Sequence, residues 1–352
     1  MVVLNNRIVA GCLVGLGLIL SANSAAARDH IQVTGSSTVY PFASVVAETL
    51  GKSGKFKTPV VESNGTGAGI AAFCASVATS TPDIADASRP MTPAERARCR
   101  ANGVGDIAEI KIGFDGIILA GDAHQPGFNV TQEQLWRAVA KRVPVAGRWV
   151  NNPYKNWSDI DKRLPNRPLS VFGPGPNHGT RDAFMELVVE PICLSLPEAK
   201  LLPEATRGQV CGQIRDDGVW INVTEDYALV VGKLSANPTA MAIFTYAYLE
   251  ANRDKLRAAT IDGLAASPES IADGRYPISR TLYVYVKKAH IAVIPGLTEF
   301  LGEFVSERAA GEEGYLTDKG LVPLPTAARA QQRALVRSLS VPAAPTTTAA
   351  SR

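Results

Sequence analysis

The sequence lacks the signatures of several functional classes. Lys and Arg number 36 and Asp and Glu 33, a formal net charge of only +3, which argues against a nucleic-acid-binding protein. There is no Cys-x-x-Cys or His-Glu-x-x-His motif and only four histidines, so we expect no metal and no cofactor. After residue 27 no apolar run approaches the ~20 residues of a membrane span. The small net charge does not exclude the binding of a small anion, because an anion pocket depends on local hydrogen-bond donors.

Two enzyme motifs are incomplete. The run Gly35-Ser36-Ser37-Thr38-Val39 lacks the second glycine of the G-x-S-x-G nucleophile turn of serine hydrolases. Gly51-Lys52-Ser53 matches the end of a P-loop, but Val46 stands where its first glycine is required. We therefore predict that the protein is not an enzyme, and keep a phosphate-ester hydrolase as the alternative.

The composition is that of a globular protein, with 46% hydrophobic and 20% charged residues. At ~150 residues per domain, a chain of 352 residues predicts two domains. No internal repeat of fixed period is visible.

The N-terminal 27 residues are typical of an export signal. Arg7 precedes an apolar run at residues 8–20, and Ala25-Ala26-Ala27 fits a cleavage site before Arg28. A retained membrane anchor and lipidation of Cys12 are the alternatives, although the apolar run continues past Cys12 instead of ending there. We expect a mature protein in the periplasm.

The other end changes composition. Residues 326–339 form a basic stretch that could be helical, and residues 340–352 are mostly Ala, Pro and Thr. Because such a tail buries little apolar surface, we exclude residues 326–352 from the fold as a flexible tail.

Four cysteines remain after removal of the signal, namely Cys74, Cys99, Cys193 and Cys211. An even number in an exported chain predicts two disulfides, for which three pairings exist. We favour Cys74–Cys99 and Cys193–Cys211, because each pair is close in sequence. Free buried thiols are the alternative.

Strand-like segments alternate with polar turns and helix-like segments from residue 30 to about residue 320. The first three units pair strands at residues 31–34, 58–62 and 83–87 with helices at 39–50, 70–77 and 92–102. This order predicts a parallel α/β sheet. A second series begins near residue 131, so we expect two α/β lobes with a cleft between them.

Four strand-to-helix turns share one chemical character. They are Gly35-Ser36-Ser37-Thr38, Asn64-Gly65-Thr66-Gly67, Ser88-Arg89-Pro90 and His178-Gly179-Thr180-Arg181. A helix N-terminus has unpaired N–H groups and the positive end of the dipole, so it attracts anions. In an open α/β sheet such turns gather where ligands bind. Each turn alone is better explained as a helix cap, whereas the four turns together fit a cap and an anion site about equally. The two arginines matter only if they converge.

Six stretches resemble the periplasmic phosphate-binding proteins of ABC importers. They are Gly-Ser-Ser-Thr-Val-Tyr-Pro-Phe at 35–42, Glu-Ser-Asn-Gly-Thr-Gly-Ala-Gly at 62–69, Asp-Ile-Ala-Asp-Ala-Ser-Arg-Pro at 83–90, Ile-Gly-Phe-Asp-Gly-Ile at 112–117, Gly-Thr-Arg-Asp-Ala-Phe at 179–184 and Ile-Ala-Asp-Gly-Arg-Tyr-Pro-Ile-Ser-Arg at 271–280. The resemblance implies a two-lobe type II binding-protein fold. We place lobe 1 at residues 28–115 and 256–325, and lobe 2, inserted into it, at residues 116–255.

The resemblance also implies which residues hold phosphate. They are Ser37, Thr38 and the Val39 N–H from the first turn, Thr66 from the second, Ser88 and Arg89 from the third, and the Gly179 N–H, Thr180 and Arg181 from the other lobe. Ser36 is a further candidate, and His178 stands where many relatives have serine. Some relatives accept the proton of phosphate with an aspartate at the position of Ser88. Asp86, two residues earlier on the same strand face, takes that role or is an ordinary solvated or capping carboxylate.

The expected partners are inorganic phosphate and the membrane permease of an ABC importer, with the protein itself a monomer that binds no nucleic acid. Lobe closure around the anion would precede docking. Other tetrahedral oxyanions such as sulfate or molybdate are alternative ligands. A signalling or scaffold protein that uses the fold without transport is a further alternative.

Overall fold

The computed structural model describes residues 28–176, 178–223 and 227–339. The predicted export signal with Cys12, and residues 340–352 of the predicted tail, lie outside the described residues. Within the described ranges, no helix combines the length and the apolarity that crossing a bilayer requires.

Short strands and helices alternate along the chain. The strands are β1 (Gln32–Gly35), β2 (Val60–Ser63), β3 (Ile84–Ala87), β4 (Ile107–Asp122), β5 (Asn129–Val130), β6 (Arg142–Val145), β7 (Arg148–Asn151), β8 (Val171–Pro174), β9 (Trp220–Val223), β10 (Met241–Thr245), β11 (Leu256–Ala258), β12 (Thr260–Ile261) and β13 (Ser279–Lys287). The helices are α1 (Tyr40–Lys52), α2 (Thr66–Phe73), α3 (Pro93–Ala101), α4 (Gln132–Val139), α5 (Trp157–Ile160), α6 (Gly179–Phe184), α7 (Glu190–Ser195), α8 (Pro197–Lys200), α9 (Glu204–Cys211), α10 (Tyr227–Ala236), α11 (Tyr246–Glu250), α12 (Pro268–Ala272), α13 (Lys288–Ile291), α14 (Leu297–Phe304), α15 (Glu307–Ala310) and α16 (Thr326–Leu339). A π-helical turn (Met185–Val189) joins α6 to α7, and a 3-10 turn covers Thr317–Lys319.

Lobe 1 is built on strands in the order β2-β1-β3-β13-β4. The strands β2 and β3 are both parallel to β1, and β13 runs antiparallel to β3 and β4. One face of this sheet packs on apolar side chains of α1 and α14. The other face packs on α2 and α3. The predicted parallel α/β sheet is therefore present in the first part of the chain.

Lobe 2 continues the sheet in the order β4-β10-β8-β9. The strand β10 is antiparallel to β4 and parallel to β8, which in turn is parallel to β9. Its core contains the fully buried side chains of Trp136, Trp157 and Phe184. Two α/β lobes are thus present, as predicted.

The strand β4 belongs to both lobes. Its residues 107–116 pair with β13 in lobe 1, and its residues 117–122 pair with β10 and β11 in lobe 2. Gly116 stands at the crossing, where a Cβ atom would lie 2.9 Å from the Ile271 side chain. The pairing of β4 therefore changes from lobe 1 to lobe 2 directly after Gly116.

The predicted return to lobe 1 at residue 256 is wrong. The strand β11 pairs with the lobe 2 half of β4, and Ile271, Tyr276 and Ile278 pack in the lobe 2 core. The chain re-enters lobe 1 only at β13, so lobe 2 spans residues 117–278. A three-residue strand shows no alternating pattern from which its pairing partner could have been predicted.

Both predicted disulfides are present. Cys74–Cys99 links the end of α2 to α3 within lobe 1, and Cys193–Cys211 links α7 to α9 within lobe 2. All four half-cystines are buried.

The exclusion of residues 326–339 from the fold is wrong. They form α16, whose Val336 packs in the lobe 1 core. Arg329 is buried, donates to the Leu324 carbonyl oxygen at 2.7 Å and pairs with Glu307 at 3.0 Å. The apolar positions of this basic helix are too sparse to predict its packing, which also depends on the ion pair of Arg329 with Glu307 of α15.

We expect that ending the chain at Pro325 lowers the free energy of unfolding by at least about 2 kcal/mol, because burial of one Val-sized side chain already contributes roughly 1.5–3 kcal/mol. Urea unfolding followed by circular dichroism measures this change. A chain ending at Leu339 is the matched control and should unfold like the full mature protein. Equal unfolding midpoints for the two truncated chains would contradict the packing of α16.

Candidate functional site

Three of the four predicted turns meet at one edge of the lobe 1 sheet. Because β1, β2 and β3 are parallel, their carboxyl ends lie side by side. The Ser36 N–H donates to the Asp86 carbonyl oxygen at 3.1 Å, and the Gly65 N–H donates to the Gly35 carbonyl oxygen at 2.8 Å. The backbone of the three turns is thus joined by hydrogen bonds.

The first turn approaches β3 closely. Gly35 has a φ of +144°, and a Cβ atom there would lie 2.1 Å from the Asp86 carbonyl oxygen, so only glycine fits. The Ser36 hydroxyl accepts from the Thr38 N–H at 3.2 Å. The Val39 N–H, a predicted phosphate donor, lies 3.2 Å from the Ser36 carbonyl oxygen and donates to it. In this structure the Val39 N–H thus donates to the backbone of its own turn.

The second and third turns contribute a pair of buried hydroxyl groups. The Thr66 Oγ1 lies 3.1 Å from the Ser88 Oγ, and it also accepts from the Ser88 N–H at 3.2 Å. Thr66 is 6% exposed and Ser88 is 2% exposed. The predicted convergence of these two residues is present.

The fourth turn reaches the first turn from lobe 2. A Cβ atom on Gly179 would lie 2.9 Å from the Ser37 carbonyl oxygen, so the N-terminus of α6 faces the first turn across the cleft. The His178 Nδ1 accepts from the Thr180 N–H at 3.1 Å, and the Thr180 hydroxyl lies 3.0 Å from the Tyr227 hydroxyl. The structure therefore brings Gly179 of the fourth turn next to Ser37 of the first turn.

The two predicted arginines are held by other partners. Arg89 donates two hydrogen bonds of 2.9 Å to the Glu95 carboxylate, which lowers the pKa of Glu95 to about 2. Arg181 donates to the Pro174 carbonyl oxygen at 3.3 Å and lies over the Trp220 ring. Burial lowers the pKa of Arg181. These contacts direct both guanidinium groups to their own lobes rather than to each other.

The cation within the hydroxyl cluster is Arg280, which sequence reasoning missed. Its Nη2 donates to the Thr38 Oγ1 at 2.7 Å, and its Nε lies 3.5 Å from the Asp115 Oδ2. Its Nη1 pairs with Glu186 of lobe 2. Arg280 lies in β13, far from the predicted turns in sequence. The signal that pointed to it was its place at the end of the motif at 271–280.

Two carboxyl groups near the cluster are buried. Asp86 is 2% exposed, burial raises its pKa, and its Oδ1 has no hydrogen-bond partner among the described residues. Burial also raises the pKa of Asp115, against the opposing effect of Arg280. The predicted role of Asp86 as a proton acceptor stays a prediction.

An open cleft of about 900 Å³ lies beside this cluster. Lobe 1 contributes Thr66, Ser88, Arg89 and Arg280 to its walls, and lobe 2 contributes Glu186 and Glu190. The cleft is thus an interlobe site lined by hydroxyl groups, the N-terminus of α2 and two arginines, Arg89 and Arg280.

Comparison with known proteins decides the family. A model described as the PBP superfamily domain matches residues 20–308. The chain belongs to this superfamily. It is 28% identical to Protein SphX of Synechococcus elongatus over 87% of this chain and 80% of that protein. It is 25% identical to the phosphate-binding protein PstS of Staphylococcus saprophyticus over 87% of this chain and 83% of that protein.

The solved structures agree on the fold. A possible phosphate binding protein from Planctomyces limnophilus matches with a TM-score of 0.70 and 25% identity, covering 88% of this chain and 98% of that chain. PstS from Borrelia burgdorferi matches with a TM-score of 0.56 and 17% identity, covering 85% and 100%. The predicted two-lobe binding-protein fold is confirmed.

Substituting Gly179 by alanine should push the fourth turn away from the first, because the new methyl group would lie 2.9 Å from the Ser37 carbonyl oxygen. Small-angle X-ray scattering of Gly179→Ala should show a larger radius of gyration than that of the wild type. Gly302→Ala in α14 is the control, since nothing lies within 4 Å of its Cβ position. An unchanged radius in both variants would contradict the contact between the turns.

Proposed function

We propose that this protein is an exported solute-binding protein that holds inorganic phosphate between its two lobes and delivers it to the permease of an ABC importer. The observation that carries this proposal is the convergence of four turns, three from lobe 1 and one from lobe 2, on one cluster of donors. The protein acts in the periplasm as a monomer and breaks no bond.

The chemistry of the cluster suits a dehydrated tetrahedral anion. Removal of phosphate from water is costly unless each oxygen gains hydrogen-bond donors. Hydroxyl groups and helix N-termini supply such donors without a large net charge, and one guanidinium adds charge-assisted bonds. The proposed ligand-binding residues are Ser37, Thr38, Thr66, Ser88 and Arg280 from lobe 1, with Gly179, Thr180 and Arg181 from lobe 2.

The relatives support phosphate as the anion. PstS of Staphylococcus saprophyticus, which aligns with 87% of this chain, is named a phosphate-binding protein. The Planctomyces limnophilus structure, with a TM-score of 0.70, is described as a possible phosphate binding protein. We carry that ligand over to this chain.

Arg280 replaces Arg89 as the proposed principal cation. Arg280 donates to Thr38 within the cluster, whereas the Arg89 guanidinium forms both of its 2.9 Å bonds with Glu95. We assign Arg89 to holding the third turn against α3. This division between the two arginines is open to a direct test.

Binding without catalysis fits the serine contacts better than hydrolysis does. A nucleophilic serine needs a base within hydrogen-bond reach. The Ser36 hydroxyl accepts from the Thr38 N–H, and His178 uses its Nδ1 to accept from the Thr180 N–H. These contacts commit the Ser36 hydroxyl and the His178 Nδ1 to the shape of their own turns.

Isothermal titration calorimetry of residues 28–352 with phosphate, arsenate, sulfate and molybdate tests the ligand. We expect saturable binding of one phosphate per chain, and weaker binding of sulfate and molybdate. A chromogenic phosphate ester should not be hydrolysed. Absence of phosphate binding, or tighter binding of sulfate or molybdate, would overturn the assignment, and turnover of the ester would favour the hydrolase.

Arg280→Met should weaken phosphate binding by about 10- to 100-fold, because hydrogen bonds to charged groups contribute roughly 1.5–3 kcal/mol each. Arg89→Met is the matched control, for which we expect a change of less than about threefold, since that guanidinium is held by Glu95. Calorimetry gives the affinities and thermal unfolding verifies the fold. A larger loss for Arg89→Met than for Arg280→Met would reverse the two assignments.

A further inference from the structure

A carboxylate from lobe 2 occupies the hydroxyl cluster of lobe 1. Glu186 lies in the π-helical turn after α6. Its Oε2 accepts from the Ser88 hydroxyl at 3.3 Å and pairs with the Arg280 Nη1. Glu186 thus reaches across the cleft to two of the groups that we assign to phosphate.

The hydroxyl protons of the cluster are aligned toward this carboxylate. The Ser88 hydroxyl has one proton and donates it to Glu186. The Thr66 Oγ1 lies 3.1 Å from the Ser88 Oγ. Because the Ser88 proton is already used, the Thr66 hydroxyl donates to the Ser88 oxygen. The resulting chain from Thr66 through Ser88 ends on an anionic oxygen, as it would if it ended on a ligand oxygen.

Both terminal nitrogens of the Arg280 guanidinium have partners, and its Nε faces Asp115 without a hydrogen bond. Its Nη2 donates to Thr38, its Nε lies 3.5 Å from Asp115, and its Nη1 pairs with Glu186. A phosphate that bound this guanidinium through two oxygens would have to displace one of these groups. Asp115 and Thr38 belong to lobe 1, so Glu186 is the partner that lobe opening would remove.

We propose that Glu186 is an internal anion that occupies the place of a phosphate oxygen and competes with phosphate for Ser88 and Arg280. This inference rests on the proposed function of the cleft. In the phosphate-free protein the contact holds the lobes together, and phosphate gains access only after Glu186 leaves. Its carboxylate therefore lowers the apparent affinity for phosphate.

The size of the effect follows from the fraction of molecules in which Glu186 is displaced. The apparent dissociation constant equals the intrinsic constant divided by the binding-competent fraction. If Glu186 occupies the cluster in about nine of ten molecules, its neutralisation tightens phosphate binding by about tenfold.

The test is calorimetric titration of Glu186→Gln with inorganic phosphate, because glutamine keeps the shape of the side chain and removes its charge. Glu190→Gln is the matched control. Glu190 lies one helical turn further on and lines the same cleft, and its substitution removes the same charge next to the cluster. We expect about tenfold tighter binding for Glu186→Gln and a change of less than twofold for Glu190→Gln.

A second measurement reports on the lobes without ligand. Small-angle X-ray scattering of phosphate-free protein should give a larger radius of gyration for Glu186→Gln than for the wild type and Glu190→Gln. Thermal unfolding of all three proteins verifies the fold. An unchanged radius would overturn the role of Glu186 in holding the lobes together.

The affinity results distinguish this inference from the proposed function. If the wild type binds no phosphate, the proposed function fails. If the wild type binds phosphate but Glu186→Gln binds it equally or more weakly, Glu186 is not a competitor, and the weaker binding would make it a direct ligand of phosphate. Equal tightening by both variants would show a general effect of charge and would also overturn the inference.

Discussion

Parallel pairing of β1 with β2 and β3 is the constraint on which the site depends. It brings the carboxyl ends of three strands to one edge of the sheet. The turns that follow these strands, which carry the hydroxyl groups of Ser36, Thr66 and Ser88, therefore lie side by side. Gly35 makes this approach possible, because any side chain there would overlap the Asp86 carbonyl oxygen. A change in the register of β2 or β3 against β1 would separate Thr66 from Ser88, so the hydroxyl groups would no longer form one cluster.

The strand β4 links this cluster to the second half of the site. Up to Gly116 it pairs with a strand of lobe 1, and after Gly116 it pairs with strands of lobe 2. The chain returns to lobe 1 through β13, in which Arg280 is the second residue. Arg280 and Asp115 are register partners in the two strands that cross between the lobes, so the main cation of the proposed site lies at the connection between the lobes.

Local sequence chemistry predicted the turns but not their long-range partners. Glycines and hydroxyl residues after short strands indicated the meeting of residues 35–38 with Thr66 and Ser88, because parallel strands align their ends. Arg280 contacts Thr38 from 242 positions away, and no local pattern determines such a contact. The resemblance implies that Arg89 holds phosphate, whereas the structure pairs Arg89 with Glu95 of α3, a contact that the turn motif does not predict. The pairing of β11 and the packing of α16 likewise depend on tertiary contacts.

Both disulfides lie within single lobes, and both precede the last segment of the chain. Cys74 and Cys99 are both followed by the whole of lobe 2, whose residues 117–278 form one uninterrupted segment that contains Cys193 and Cys211. All four half-cystines therefore precede β13 and α16 in the chain, and neither bond involves that last segment. The segment from β13 to α16 carries no cysteine, so it is held on lobe 1 without a disulfide, by strand pairing and side-chain packing.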